Sequence, residues 1–268
     1  MNHPTTSTRI PWWLTPSLWG LDTAFAAFCW SLYIAAHIHI SVLNDASLFI
    51  VCGAVWICKV MTISARSEDA QLARYNEYYK RWGIVIILLA LGVIASIIWM
   101  MFYYVGQGFL VHIWIPMFMF GLYRLLKRTR MAIVANMALG AAFIFACEAP
   151  AGYYSISYTF IKQLSDKPFW ALAGAMMLFF YDRRPDTPAQ TTPQHIGILI
   201  AVAAYSLYHY HSAPPVQQDM YTIAIIALGS IHLLSRLRSR LSFDAWNALS
   251  WPMVALPALI GLIQQANK

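Results

Sequence analysis

Charge is what this chain has least of. Only 11% of its 268 residues are Asp, Glu, Lys or Arg, against roughly 25% in an ordinary soluble domain, and 60% are apolar. A soluble globule is excluded on that balance. No uninterrupted polar stretch is long enough to fold as a water-facing domain, so the net charge of +7 does not describe a nucleic-acid surface, which needs clustered Lys and Arg on such a domain. Cysteine is scarce as well. Cys29, Cys52, Cys58 and Cys147 all lie in apolar runs without CxxC spacing, and read as buried small apolar residues rather than ligands or disulfides. The first twenty residues lack a compact apolar core followed by an Ala-x-Ala site, so no cleaved signal peptide is expected. There is no tandem repeat of short period.

What is there is a succession of apolar runs. A membrane helix needs about 20 mostly apolar residues, fewer where protein or thinned lipid shields its ends. Nine runs qualify, from Leu18 to Leu43, Ala46 to Ser64, Trp82 to Gly106, Phe109 to Leu126, Met131 to Tyr153, Phe169 to Tyr181, His195 to His209, Met220 to Leu234 and Ala248 to Ile263. The sixth and seventh are the shortest. The expected fold is all-α: a polytopic integral membrane protein with about nine transmembrane helices in one bundle spanning residues 18–264, after an N-terminal segment of residues 1–17 and before a tail of residues 265–268.

Basic residues orient the spans, because loops rich in Lys and Arg stay cytoplasmic. With nine spans, the loops on the N-terminal side hold Arg9; Arg66, Arg74, Lys80 and Arg81; Arg124, Lys127, Arg128 and Arg130; Arg183 and Arg184; and Arg236, Arg238 and Arg240. The opposite side holds only Lys162, Lys167 and Lys268, with Lys59 inside the second span. That asymmetry predicts a cytoplasmic N-terminus and an odd number of spans, with the plasma (inner) membrane as the expected location.

Ionisable groups inside spans are costly and therefore candidates for function. Asp22 opens the first span. Lys59, about five residues from the end of the second, is close enough to that end to snorkel. Glu148 stands beside Pro150, where it either satisfies backbone groups freed by the proline or forms a site. His37, His39, His112, His209 and His211 map to the outer ends of their spans, leaving His3, His195 and His232 on the inner side. Outer histidines from different helices could hold a metal or haem, although the spacing of two within each pair turns its members to different helix faces.

Two cytoplasmic loops carry the more suggestive acids. Asp182 and Asp186 form DxxxD at a helix end, which places both carboxylates on one face if the helix continues. With Arg183 and Arg184 beside them they suit Mg²⁺ and a diphosphate, since Mg²⁺ usually bridges one or two carboxylates to phosphate oxygens. After the second span come Glu68, Asp69 and Glu77 among Arg66, Arg74, Lys80 and Arg81, in a polar segment from Ala65 to Arg81 that could make a short helix.

In this arrangement the chain resembles the UbiA-type membrane prenyltransferase superfamily. The resemblance is carried by LWGLDTAFAAFCW opening the first helix, GAVWI in the second, ARYNEYYKRW after it, MAIVANMALGAAF in the fifth and DAWNALSWPMVALPALIG at the end. It implies nine helices with a cytoplasmic N-terminus and a site under the loops after helices two and six, where two Asp-rich motifs bind Mg²⁺ on a prenyl diphosphate. This chain has a degenerate first motif: after Trp56 the expected acidic places hold Thr62, Ile63 and Arg66, and Glu68 and Asp69 follow later. The second keeps Asp182 and Asp186 without a third acid.

Three readings follow. In the first, the chain transfers or binds a prenyl (isoprenoid) group from a diphosphate at a cytoplasm-facing site. Asp182, Asp186, Glu68 and Asp69 would then hold Mg²⁺, and Arg66, Arg74, Arg183 and Arg184 the diphosphate. In the second, it is a catalytically inactive UbiA-like fold that binds an isoprenoid lipid, a quinone or a partner protein. In the third, it is a haem or metal membrane protein that uses the outer histidines. No residue is assigned a catalytic role.

Overall fold

The computed structural model describes residues 12–38, 43–64, 73–104, 107–127, 129, 131–152, 166–182 and 192–267. All regular structure among them is helical. A 3-10 turn, Trp12–Leu14, leads into α1 (Thr15–Leu18), followed by α2 (Leu21–His37), α3 (Asp45–Ser64), α4 (Ala73–Tyr103), α5 (Gln107–Leu126) and α6 (Ala132–Gly152). Then come α7 (Lys167–Asp182), α8 (Pro193–Ser212), α9 (Pro215–Leu237) and α10 (Phe243–Ala266). From α2 onward these helices coincide with the apolar runs of the sequence.

Side-chain contacts fix their directions. Asn44, at the start of α3, reaches the Tyr104 carbonyl just past the end of α4 at 3.4 Å. Tyr181 near the end of α7 hydrogen-bonds Gln194 at the start of α8, and the Tyr205 hydroxyl meets the Lys167 carbonyl at the far ends of the same pair. His195 and His232 join the start of α8 to the end of α9. Those neighbours are antiparallel. The first and last long helices, in contrast, run parallel: Ser17 beside α2 donates to the Asn247 carbonyl (3.3 Å), Trp30 Nε1 to the Val254 carbonyl (3.0 Å), and His37 lies 3.4 Å from Gln265. Parallel first and last helices are what an odd number of alternating helices requires. The bundle therefore has an Asp22 end and a His37 end.

Tight packing is concentrated at α6 and α7. A β-carbon on Gly140 would stand 2.4 Å from the Ala173 carbonyl oxygen and 2.7 Å from the Met177 nitrogen, so only glycine lets these two backbones approach so closely. Such a close approach at a small residue is the kind of interface that joins helices where lipid removes the hydrophobic drive between them. At the periphery, α4 leaves Ile84, Ile87, Leu88, Leu91, Ile98, Trp99 and Phe102 exposed. Apolar exposure on that scale marks a partner or a membrane rather than water.

Four helical stretches, Lys80–Tyr103, Ile133–Ala151, Gln217–Leu237 and Asp244–Ala266, are long and apolar enough to cross a membrane. A fifth crossing is obtained if Trp12–Leu18 and Leu21–His37, which bend by 66°, count as one span. The expectation of nine crossings is not confirmed: among the described residues there are nine long helices, of which four or five qualify on length and composition. The bend lies at Gly20, whose φ of 71° is a left-handed conformation that glycine adopts without a Cβ penalty. The first run is accordingly not a single straight helix from Leu18. Of the polar segment before Trp82, residues 73–81 belong to α4, which begins at Ala73 and continues unbroken, while residues 65–72 lie outside the described residues. The reading of all four cysteines as buried also needs correction: Cys29 and Cys147 are buried, Cys52 is half-buried, and Cys58 is exposed on α3.

Candidate functional site at the Asp22 end

The ends of α3 and α7 and the starts of α4 and α8 all belong to the Asp22 end of the bundle, by the contacts that fix the helix directions. The two polar loops singled out in the sequence therefore leave from one end, as a shared site requires. Arg66, Glu68, Asp69, Arg183, Arg184 and Asp186 lie outside the described residues. Arg74 falls in the first turn of α4 and Asp182 closes α7; their side chains also lie outside the description. Among the described residues no three His, Cys, Asp or Glu side chains gather closely enough to hold a metal ion.

Beneath those loops stands a group of polar and aromatic side chains. Asp22, in the first turn of α2, is 8% exposed. Its Oδ1 accepts from the Thr23 backbone N–H at 2.8 Å and from the Thr23 hydroxyl at 3.2 Å, the usual service of an acid at a helix N-terminus. Its Oδ2 is buried and has no hydrogen-bond partner among the described residues. Two residues earlier, the Gly20 backbone is overlaid by Lys59: a β-carbon there would lie 3.1 Å from Lys59 Cγ and 3.3 Å from Trp56 Cδ1. Trp56 Nε1 donates to the Trp19 carbonyl, and Trp19 Nε1 to the Tyr78 hydroxyl. Indoles thus tie α3 and α4 to the bend before α2.

Lys59 does not simply reach outward along its helix. Its ammonium lies 6.0 Å from the ring centre of Trp251 in α10. Trp251 in turn is enclosed by Phe143 of α6 (5.8 Å) and by Phe179 (5.0 Å) and Phe180 (6.1 Å) of α7. Such an aromatic enclosure has the electrostatics to stabilise a cation over its ring faces. Asn136 of α6 is 3% exposed, and its Nδ2 lacks a partner among the described residues. Sequence reasoning did not single out Trp251 or Asn136, because neither carries a spacing signature in an apolar run.

The histidines meet differently from expectation. His195 Nε2 and His232 Nδ1, both on the inner side of the predicted topology, lie 3.0 Å apart. Of the outer histidines, His37 contacts Gln265, His209 stacks with Tyr221 and meets Tyr205 edge-on, and His112 is buried in α5; His39 lies outside the described residues. Glu148 is also buried. It shares a level with His112, because α5 and α6 meet through an apolar cluster that joins Phe109 to Ala149 and includes Ile113 and Ala146.

Compared with family models, curated proteins and solved structures, the chain matches none of them. The resemblance to the UbiA-type superfamily rests on the sequence segments that carry it.

Proposed function

We propose that the chain is a UbiA-like integral membrane protein whose nine long helices all cross the bilayer, with the Asp22 end toward the cytoplasm, and that it takes up an isoprenoid diphosphate at that end. The observation that carries this reading is the coincidence, at one end of the bundle, of the two acidic and basic loops with the Lys59–Trp251–phenylalanine enclosure. The carboxylates of Asp182, Asp186, Glu68 and Asp69, brought together, would offer an all-oxygen donor set of the kind Mg²⁺ prefers. The ion, when bound, neutralises the leaving diphosphate. Arg66, Arg74, Arg183 and Arg184 would grip the phosphates, and the rings around Trp251 would shield the allylic cation that forms as the carbon–oxygen bond breaks.

The test is diphosphate release from geranylgeranyl diphosphate by the purified protein in nanodiscs with Mg²⁺, where water captures the allylic cation as geranylgeraniol and gives up a proton. Release that is lost in the double variant Asp182→Asn, Asp186→Asn supports transfer, and release unchanged in that variant overturns it. The second reading, binding without catalysis, is favoured by Thr62, Ile63 and Arg66 at the expected acidic places after Trp56. Under it, mass spectrometry of the purified protein finds bound isoprenoid or quinone and no diphosphate is released. For the haem reading, a Soret band in the purified protein is the deciding observation.

A further inference from the structure

Asp22 uses half of its carboxylate. Oδ1 serves the start of α2 through Thr23, which is all that a helix N-terminus asks of it. Oδ2 is left buried and without a donor, an arrangement that is costly unless something else supplies the hydrogen bond.

The level of Asp22 along the bundle follows from helix geometry. Residues 22, 26, 30, 33 and 37 form one stripe along α2. Three members of it are fixed against α10: Trp30 at the Val254 carbonyl, Tyr33 against Gly261, and His37 at Gln265. Followed back along two parallel helices, the stripe brings Asp22 to the first turns of α10, the level of Asn247, Ser250 and Trp251. Ser17, bonded to the Asn247 carbonyl, marks the same level independently. Lys59 reaches it from α3, over Gly20 on one side and near Trp251 on the other.

We propose that Asp22 Oδ2 is the hydrogen-bond acceptor for the hydroxyl head of an isoprenoid ligand seated at this end of the α2–α10 seam. A carboxylate oxygen accepts and does not donate, so it prefers a head group that carries an O–H to one that carries none. The aromatic walls around Trp251 suit an unsaturated hydrocarbon chain. The assignment rests on the isoprenoid reading given above, and it adds a second ligand class, an alcohol, to the diphosphate.

The experiment is a competition between geranylgeraniol and its methyl ether for the protein in phosphatidylcholine nanodiscs, read by native mass spectrometry. The ether keeps the chain and removes the donor. Wild-type protein should prefer the alcohol by about tenfold, the worth of one hydrogen bond to a charged acceptor. In Asp22→Asn the amide oxygen keeps the bond to Thr23 and the amide nitrogen, a donor, faces the site, so the preference should vanish or reverse. Asp22→Glu should retain part of it. Equal binding of alcohol and ether to wild type, or an unchanged preference in Asp22→Asn, overturns the assignment while leaving isoprenoid binding intact. Failure of both probes to bind wild type overturns the isoprenoid reading and the assignment with it. Should Asp22→Asn not fold, the wild-type comparison alone still decides.

Discussion

Tyr33 of α2 lies so close to Gly261 of α10 that a β-carbon on the glycine would stand 2.4 Å from Tyr33 Cε2. The ring is fully buried, and its hydroxyl has no hydrogen-bond partner among the described residues. The first and last long helices are therefore locked by shape rather than by polar bonding at this level. Gly261→Ala should lower stability by about 1–3 kcal/mol through overpacking, seen as a lower midpoint in a thermal unfolding assay in detergent. Tyr33→Phe removes an unpaired buried hydroxyl and should leave the midpoint unchanged or raise it. A large loss in Tyr33→Phe would mean that the hydroxyl has a partner.

The contact at Gly140 is of another kind. There the added carbon meets the Ala173 carbonyl and the Met177 amide nitrogen, which cannot swing aside as a side chain can. Gly140→Ala should separate α6 from α7 and cost at least the upper end of the overpacking range, about 3 kcal/mol. The same thermal assay should rank it above Gly261→Ala. An equal or smaller effect would show that the α6–α7 approach is looser than its backbone distances say.

His195 and His232 form the polar tie between the start of α8 and the end of α9. The double-mutant cycle through His195→Ala and His232→Ala should return a coupling of about 1 kcal/mol, the size of one hydrogen bond in a buried setting. His232→Gln, which keeps a donor and an acceptor, should recover part of it. A coupling near zero would reduce the pair to a chance approach of two rings.

Those three contacts divide what could be read in the sequence from what could not. The long helices were legible because most are apolar runs closed on at least one side by basic or proline-containing loops, and the parallel arrangement of α2 and α10 follows from their odd number. The bend at Gly20 was hidden, since Trp19 and Gly20 sit in a run that reads as continuous helix and the positive φ arises only where Lys59 and Trp56 overlie the glycine. The start of α4 at Ala73 was also missed, because the polarity of ARYNEYYKR masks its helical continuity with the apolar stretch. Periodicity within a helix says which residues share a face, but not which face of another helix they meet. For that reason the outer histidines drew attention while the inner pair, 37 positions apart, is the one in contact. The loop residues proposed for Mg²⁺ and diphosphate were chosen on charge and resemblance, and only the helix ends that carry them are positioned.

Orientation offers the last prediction. On the proposed nine-crossing topology, fourteen of the 18 Lys and Arg fall on loops or ends at the Asp22 side, and the positive-inside tendency predicts that this side faces the cytoplasm. Ser239, in the turn between α9 and α10, belongs to this end; Ala213, between α8 and α9, belongs to the other. Both positions join consecutive helices; Ser239 is exposed, and at Ala213, half-buried against the core, cysteine adds only one sulfur atom to the side chain. Cells carrying Ser239→Cys should resist a membrane-impermeant maleimide until the membrane is opened, whereas Ala213→Cys should be labelled at once. Cys58, exposed on the surface of α3, should stay unlabelled in both if α3 crosses the bilayer as proposed. Labelling of both introduced cysteines from the same side would remove one crossing between Ala213 and Ser239, the stretch occupied by α9. The odd count on which the parallel closure of α2 and α10 depends would then fail.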